Sequence, residues 1–194
     1  MKKKNNAIKN GKIYGIGYSA IIEPSISNMG YVTTALPYKD REKTGHKGGA
    51  LASTSVSIGP TGSVYVTCDS LPQGQGHKTI LCQIVADVFG IKINDVFVNT
   101  THDTHKDAWS IAAGNYSSRF AGAVAGSAFN AANNLKKKLQ KIAASQLNCK
   151  SENVLFDKEK VYDKKNSDNY LKFKRLAGIP HWSPGNLPEK LNPS

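Results

Sequence analysis

The feature that most limits how this chain can fold is a long amphipathic run, about Ser117 to Gln146. In it Phe120, Val124, Ala128, Ala131, Leu135, Leu139, Ile142 and Ala143 recur at intervals of three and four. That spacing places them on one helical face, so a helix of this length needs other elements packed along one side. Its first half is almost all alanine, glycine and serine. Side chains that small let a neighbouring backbone or a ligand come close, which predicts an interior position for this half. The second half carries Lys136, Lys137, Lys138 and Lys141 on a face expected to emerge into solvent.

The rest of the pattern supplies what such a helix would pack against. Ala52 to Ile58 and Ser63 to Cys68 are rich in valine, serine and threonine and flank Gly59-Pro60-Thr61-Gly62, which predicts a hairpin. After the Pro72 to His77 break, Thr79 to Phe89 has helical apolar spacing at Ile80, Leu81, Ile84, Val85 and Val88, closed by Gly90. Val96 to Asn99 reads as a short strand, followed by a polar loop Thr100 to Asp107 and a small-residue run Ser110 to Gly114. Asn153 to Phe156 and Lys160 to Tyr162 read as a second hairpin. Ile13 to Ile22, with Gly15 and Gly17, reads as a strand, and Glu23 to Gly49 as a long connection. Lys164 to Asn169 reads as a polar linker and Tyr170 to Ala177 as a short helix, before a proline-rich end without a closing element. The sum is an α+β fold, with small mixed or antiparallel sheets packed against two main helices. It divides into an N-terminal strand and arm (1–47), a main domain (48–163) and a linker with a tail (164–194).

Composition excludes several classes. No apolar run approaches the ~20 residues that span a bilayer, and the lysine-rich start leads into Asn5, Asn6 and Gly11 rather than an apolar signal core, so a cytoplasmic protein is expected. Cys68, Cys82 and Cys149 are widely spaced and form no C-x-x-C pair, which gives no disulfide framework and no zinc or iron–sulfur signature. They read as small core residues, with Cys149 at a helix end. Any metal here must arrive within a cofactor. The net charge of +12 invites nucleic acid, yet the basic residues are mostly scattered lysines with only Arg41, Arg119 and Arg175 able to fork. A solvated lysine surface is the better reading. An acidic partner or an anionic cofactor would also suit it.

Two loops carry chemistry. Gln73-Gly74-Gln75-Gly76 lies between a strand and a helix, where glycine permits positive φ and the helix start offers unpaired N–H groups. Gly114-Asn115-Tyr116-Ser117-Ser118-Arg119 opens the long helix in the same way, and Arg119 could fork onto a phosphate. Two such helix starts suit a heterocycle bearing a pyrophosphate or a dinucleotide. Both also read as ordinary caps and turns, and neither matches the G-x-G-x-x-G or G-x-x-x-x-G-K-[ST] pattern.

The string T-G-S-V-Y-V-T-C-D-S-L-P-Q-G-Q-G-H-K-T, then Q-I-V-A-D-V-F-G-I, H-D-T and G-N-Y-S-S-R-F-A-G-A-V-A-G-S-A closely resembles the second molybdopterin-binding domain of the xanthine dehydrogenase/aldehyde oxidase family. The resemblance runs from Gly48 to Leu147, with weaker similarity at Gly15 to Tyr31 and Leu176 to Leu187. It implies that Gln73, Gly74, Gln75 and Gly76 face the cofactor near molybdenum. It also implies that Gly114, Asn115, Tyr116, Ser117, Ser118 and Arg119 hold the pterin and phosphates, with Asp103 and Thr104 approaching it. The family pattern commonly reads G-T-Y-G-S-R, so Ser118 stands where a glycine is usual.

The resemblance also shows what this chain lacks. The family's catalytic glutamate lies in a G-x-G-E motif and a further domain carries a G-G-F-G loop; neither is present here, so no catalytic residue and no metal ligand is assigned. The chain is expected to be a split subunit or a truncated product of a molybdenum hydroxylase, empty and inactive alone. The cofactor implied is molybdopterin in its cytosine dinucleotide form. FAD and iron–sulfur clusters would sit on partner chains, along with the other molybdenum-binding segments. A self-associating fragment without a ligand, and a basic phosphate- or nucleic-acid-binding module, are the competing readings.

Overall fold

The computed structural model describes residues 1–21, 36–43, 51–101, 103, 105, 114, 115, 118–188 and 191. Helix α1 (Lys2–Lys9) and the short α2 (Tyr38–Lys43) bury no residue. Strands β1 (Thr54–Ile58) and β2 (Val64–Cys68) form the expected antiparallel hairpin, pairing Thr54 with Cys68 and Ile58 with Val64. Gly62, at φ 89°, supplies the left-handed turn residue. Helix α3 (His77–Phe89) then returns the chain so that β3 (Val96–Asn99) lies parallel to β2, making a mixed sheet ordered β1-β2-β3.

A π-helical stretch over Phe120–Val124 leads into α4 (Ala125–Leu147). Beyond it β4 (Val154–Asp157), β5 (Lys160–Asp163) and β6 (Asn166–Lys172) form an antiparallel sheet, and α5 (Phe173–Trp182) closes the fold. The α+β expectation therefore holds, with both small sheets and helices α3 and α4 as predicted.

One face of α4 is the spine of the core. Ala132, Leu139, Ile142, Ala143 and Leu147 are buried against Val64, Val66, Val85, Phe89, Val154 and Val161, drawn from both sheets and α3. Alternation along β2 follows the same logic: Val64, Val66 and Cys68 point inward while Tyr65 is exposed. Full burial of each such aliphatic side chain contributes roughly 1.5–3 kcal/mol before chain entropy is set against it. A second, smaller cluster of Cys68, Leu81, Phe120, Val124 and Ala128 lies under the two glycine-bearing loops.

Four expectations need correction. Residues Ile13 to Ile21 form no strand and are exposed, because among the described residues no sheet edge pairs with them; Ile22 lies outside the described residues. The segment read as a polar linker, Lys164 to Asn169, runs instead into β6, while the short helix expected over Tyr170 to Ala177 is present as α5 from Phe173 onward, with Phe173, Leu176, Ile179 and Leu187 packed into the main core. A polar strand such as Asn166–Lys172 lacks apolar alternation because it is an edge strand with mostly exposed side chains. The small-residue half of α4 is not wholly interior: Val124, Ala128 and Ala132 are buried, while Ala121, Gly122, Phe129 and Asn130 are exposed. Finally, Lys136 does not simply project into water. Its Nζ donates to the Val88 carbonyl at 2.6 Å and sits 5.1 Å above the Phe156 ring, and burial pulls its pKa down. Most of Glu23 to Gly49, and most of Thr100 to Gly114, lies outside the described residues.

The joint between the two sheets is Gly90. It caps α3 at φ 62°, its carbonyl accepts the Glu159 N–H at 2.7 Å, and a Cβ there would lie 2.8 Å from the Asp157 Cα. Gly90→Ala is therefore expected to cost about 3 kcal/mol, from left-handed strain plus overpacking on rigid backbone. Urea unfolding followed by circular dichroism measures this; a loss below about 1 kcal/mol would contradict the contact. At the β4–β5 turn, Lys158 and Glu159 both adopt positive φ, 48° and 63°. Two-residue hairpin turns of that shape favour asparagine and glycine, so Lys158→Asn should raise stability by about 0.5 kcal/mol in the same assay.

Candidate functional site

Both glycine-bearing loops lie at the end of β2, brought there by the β2–α3 connection and by the start of the long helix. In the first, Gly74 (φ 97°) and Gly76 (φ 86°) take left-handed conformations that an L side chain resists. A Cβ on either would meet nothing within 4 Å, so glycine is required by backbone shape and the surface above it is open. Gln73 and Gln75 are exposed, and the Gln73 N–H donates to Gln75 Oε1 at 2.5 Å.

Helix α3 begins at once. Its first main-chain bond runs from the Ile80 N–H to the Gly76 carbonyl at 3.2 Å, and among the described residues no side chain caps the N–H groups of His77, Lys78 and Thr79. Unpaired donors and the positive end of the helix dipole thus meet at an open surface. His77 faces inward. It is buried, stacks on Phe120 with ring centroids 3.6 Å apart, and among the described residues leaves Nδ1 without a partner, while burial lowers its pKa.

The second loop is tied to the first. Asn115 accepts from the Ser70 hydroxyl and donates to the Leu71 carbonyl, two residues upstream of the Pro72–Gly76 turn. Ser118 has φ 50°, the left-handed region, at the position where the resembled pattern usually places glycine. Directly after Arg119 the helix widens into its π-helical turn, a departure that often accompanies functional sites.

Arg119 departs from expectation. Its side chain is fully buried and turned away from solvent, so it is not a free fork awaiting phosphate. Nη1 donates to the Gly114 carbonyl at 3.1 Å, Nη2 to the Leu51 carbonyl at 2.5 Å, and Nη2 lies 3.4 Å from Asp69 Oδ2. The reason is local: buried carbonyls and a buried carboxylate offer a better-matched set of acceptors than open water. Asp69, buried beside it, was missed by sequence reasoning, although an acidic residue ending an apolar strand is the signal that could have found it.

Tyr116, Ser117 and Thr104 lie outside the described residues. Asp103 Oδ1 accepts the His105 N–H at 3.0 Å. The three cysteines are free; Cys68 is buried, which pushes its thiol pKa up, and its Sγ reaches the Ser70 carbonyl at 3.5 Å. Among the described residues there is no cluster of three or more histidine, cysteine or carboxylate side chains able to hold a metal, and no helix long and apolar enough to cross a membrane.

Residues 1–191 match the family model of the molybdopterin cofactor-binding domain. The chain is 30% identical over 157 residues to the nicotine 6-hydroxylase large subunit of Paenarthrobacter nicotinovorans, covering 81% of this chain and 18% of that protein. It is 30% identical over 195 residues to the carbon monoxide dehydrogenase large chain of Afipia carboxidovorans, covering 99% of this chain and 22% of that one. Among solved structures, it is similar to quinoline 2-oxidoreductase from Pseudomonas putida 86, with a TM-score of 0.69 at 26% identity, covering 86% of this chain and 20% of that chain. It is also similar to the Cu,Mo-CO dehydrogenase in its carbon monoxide reduced state, with a TM-score of 0.68 at 27% identity, over 100% of this chain and 23% of that chain. The chain thus spans about a fifth of the length of the relatives it matches.

Two outcomes follow from this geometry. Ser118→Gly removes a Cβ from a left-handed position and should raise stability by about 0.5–1 kcal/mol, read by urea unfolding. Burial holds the folded pKa of His77 below its unfolded value, so the stability it contributes is present above about pH 6.5 and is lost as pH falls, when only the unfolded chain takes up the proton. His77→Phe preserves the stack and should flatten the stability–pH profile between about pH 7 and 5; an unchanged slope would refute the buried neutral imidazole.

Proposed function

The chain belongs to the family of molybdopterin cofactor-binding domains, and from that premise we propose that it forms one wall of the molybdopterin pocket in a molybdenum hydroxylase large subunit. The observation that carries this reading is the linkage of the two loops: Asn115 bonds Ser70 and Leu71, so both helix starts face the same end of the sheet.

The residues present fit such a group. Gly74 and Gly76 leave open space above a left-handed backbone, and the first turn of α3 offers uncapped N–H donors. Backbone donors at a helix start suit phosphate, and glutamine amides suit the donor and acceptor edge of a pterin. In this reading Gln73, Gly74, Gln75 and Gly76 line the pocket beside the metal-bearing end of the cofactor. Gly114, Asn115, Tyr116, Ser117 and Ser118 face its pterin and phosphates, and Arg119 supports that loop from behind. When bound, the cofactor supplies two-electron oxidation chemistry at molybdenum.

The chain's own residues bind and orient; none of them is assigned as the base. The hydroxylase is of the xanthine dehydrogenase/aldehyde oxidase type, works in the cytoplasm and uses the cytosine dinucleotide form. Its remaining molybdenum-binding segments, FAD and iron–sulfur clusters reside on partner chains. Support comes from relatives named as large subunits or large chains, of which this chain covers about a fifth.

Purified alone, the chain is expected to retain little molybdenum and to turn over no substrate. Co-expressed with chains that carry the G-G-F-G and G-x-G-E segments, it should copurify with molybdenum near one atom per assembly, measured by elemental analysis. Stoichiometric molybdenum with turnover in the isolated chain would sink the split-subunit reading.

A further inference from the structure

We infer that Asp69 is a positioning residue that, through Arg119, holds the two glycine-bearing loops at a fixed spacing. The inference deepens the reading above and rests on it only for what the loops bind.

Asp69 follows the last residue of β2, where the β1–β2 ladder would otherwise stop. Its N–H donates to the Ser53 carbonyl at 3.1 Å, and its Oδ2 accepts the Ser53 N–H at 2.9 Å. The carboxylate therefore replaces a main-chain carbonyl and adds one rung. That same oxygen lies 3.4 Å from Arg119 Nη2, and both side chains are fully buried.

From this anchor the guanidinium reaches two carbonyls in separate segments, Leu51 and Gly114. One planar group thus joins the chain entering β1, the end of β2 and the first residue of the second loop. Asn115 adds its bonds to Ser70 and Leu71 on the adjoining stretch. The carboxylate fixes the arginine, the arginine fixes Gly114, and Asn115, which follows it, is set relative to Pro72–Gly76.

Stability alone does not account for the pair. Taking two charges out of water carries a penalty that an apolar pair of the same shape avoids, and such replacements are often neutral or better. Among the described residues Asp69 Oδ1 and Arg119 Nε also lack partners, so the desolvation is incompletely offset there. What an apolar pair cannot do is aim donors at two carbonyls at once. Lysine is a poor substitute, because its three donors sit on one nitrogen and cannot span carbonyls that Arg119 meets with Nη1 and Nη2 separately.

Two variants of the chain test this: Asp69→Leu with Arg119→Met, which removes both charges, and Arg119→Lys, which keeps the charge pair but loses the fork. Nuclear Overhauser contacts between the Asn115 side-chain amide and Ser70 or Leu71 report loop spacing directly. Thermal unfolding reports the global fold. Both variants should lose these contacts by about fivefold or more in intensity while unfolding stays cooperative. In the assembly with the G-G-F-G and G-x-G-E chains, molybdenum content should fall about as far although the partners still copurify.

Contacts that persist in Arg119→Lys, or in the double variant, overturn the proposal. So do lost contacts with unchanged molybdenum. If the double variant does not fold, Arg119→Lys decides. If the wild-type assembly holds no molybdenum, the functional reading fails, while the Overhauser contacts still decide whether Asp69 and Arg119 set the spacing.

Discussion

Every packed layer of this molecule leans on one face of α4. Leu139, Ile142, Ala143 and Leu147 meet Val85 and Phe89 of α3, Val64 and Val66 of the mixed sheet, and Val154 and Val161 of the antiparallel sheet within a single core. Among the described residues the two small sheets share no ladder, so they are held together by this helix, by α5, whose Lys174 lies against Gly62, and by the Gly90 joint, where the end of α3 touches the β4–β5 turn. The same helix begins at the second loop. Its π-helical first turn is pinned by Phe120 on His77, so the core's spine and the floor of the site are one continuous element. A change that slid α4 along its axis would move the site with it.

Legibility in the sequence followed from how local each signal was. The β1–β2 hairpin and both main helices are written in short-range pattern: Gly59 to Gly62 between valine-rich runs, and apolar spacing of three and four before Gly90. Strand β6 was illegible for the opposite reason. Asn166 to Asp168 are polar because an edge strand exposes them, and composition alone cannot separate an edge strand from a linker. Phe173 and Leu176 do show the apolar spacing of a helix, but only the tertiary contact of Phe173 with Phe89 and Phe156 makes it part of the core. Lys136 misled in another way, since a long aliphatic stem can be covered while its ammonium reaches a helix-end carbonyl.

At the site, the glycines were read correctly because positive φ is a property of the residue itself: Gly74 and Gly76 occupy the conformations for which glycine is suited. The direction of Arg119 was not available from its neighbours in sequence. Its partners are Leu51 and Asp69, far away along the chain, and only the folded β1–β2 hairpin brings their acceptors to it. Charge at a helix start therefore has two readings, outward to a ligand or inward to a scaffold, and the nearest buried acceptors decide between them.

The polarity of the two faces of this region explains why the chain looks like part of a pocket. Behind the loops, Asp69, Arg119 and His77 are buried and hold the scaffold; in front, Gln73 to Gly76, Lys78 and Thr79 are exposed around a glycine backbone with open space above it. A binding site normally encloses most of its ligand. A rigid back with an uncovered front is what one wall of such a site presents when the other walls belong to different segments. That matches a chain whose entire length aligns to about a quarter of a solved carbon monoxide dehydrogenase chain. The ion pair fits the same logic: a buried fork onto two carbonyls contributes a fixed shape to this back face rather than extra stability.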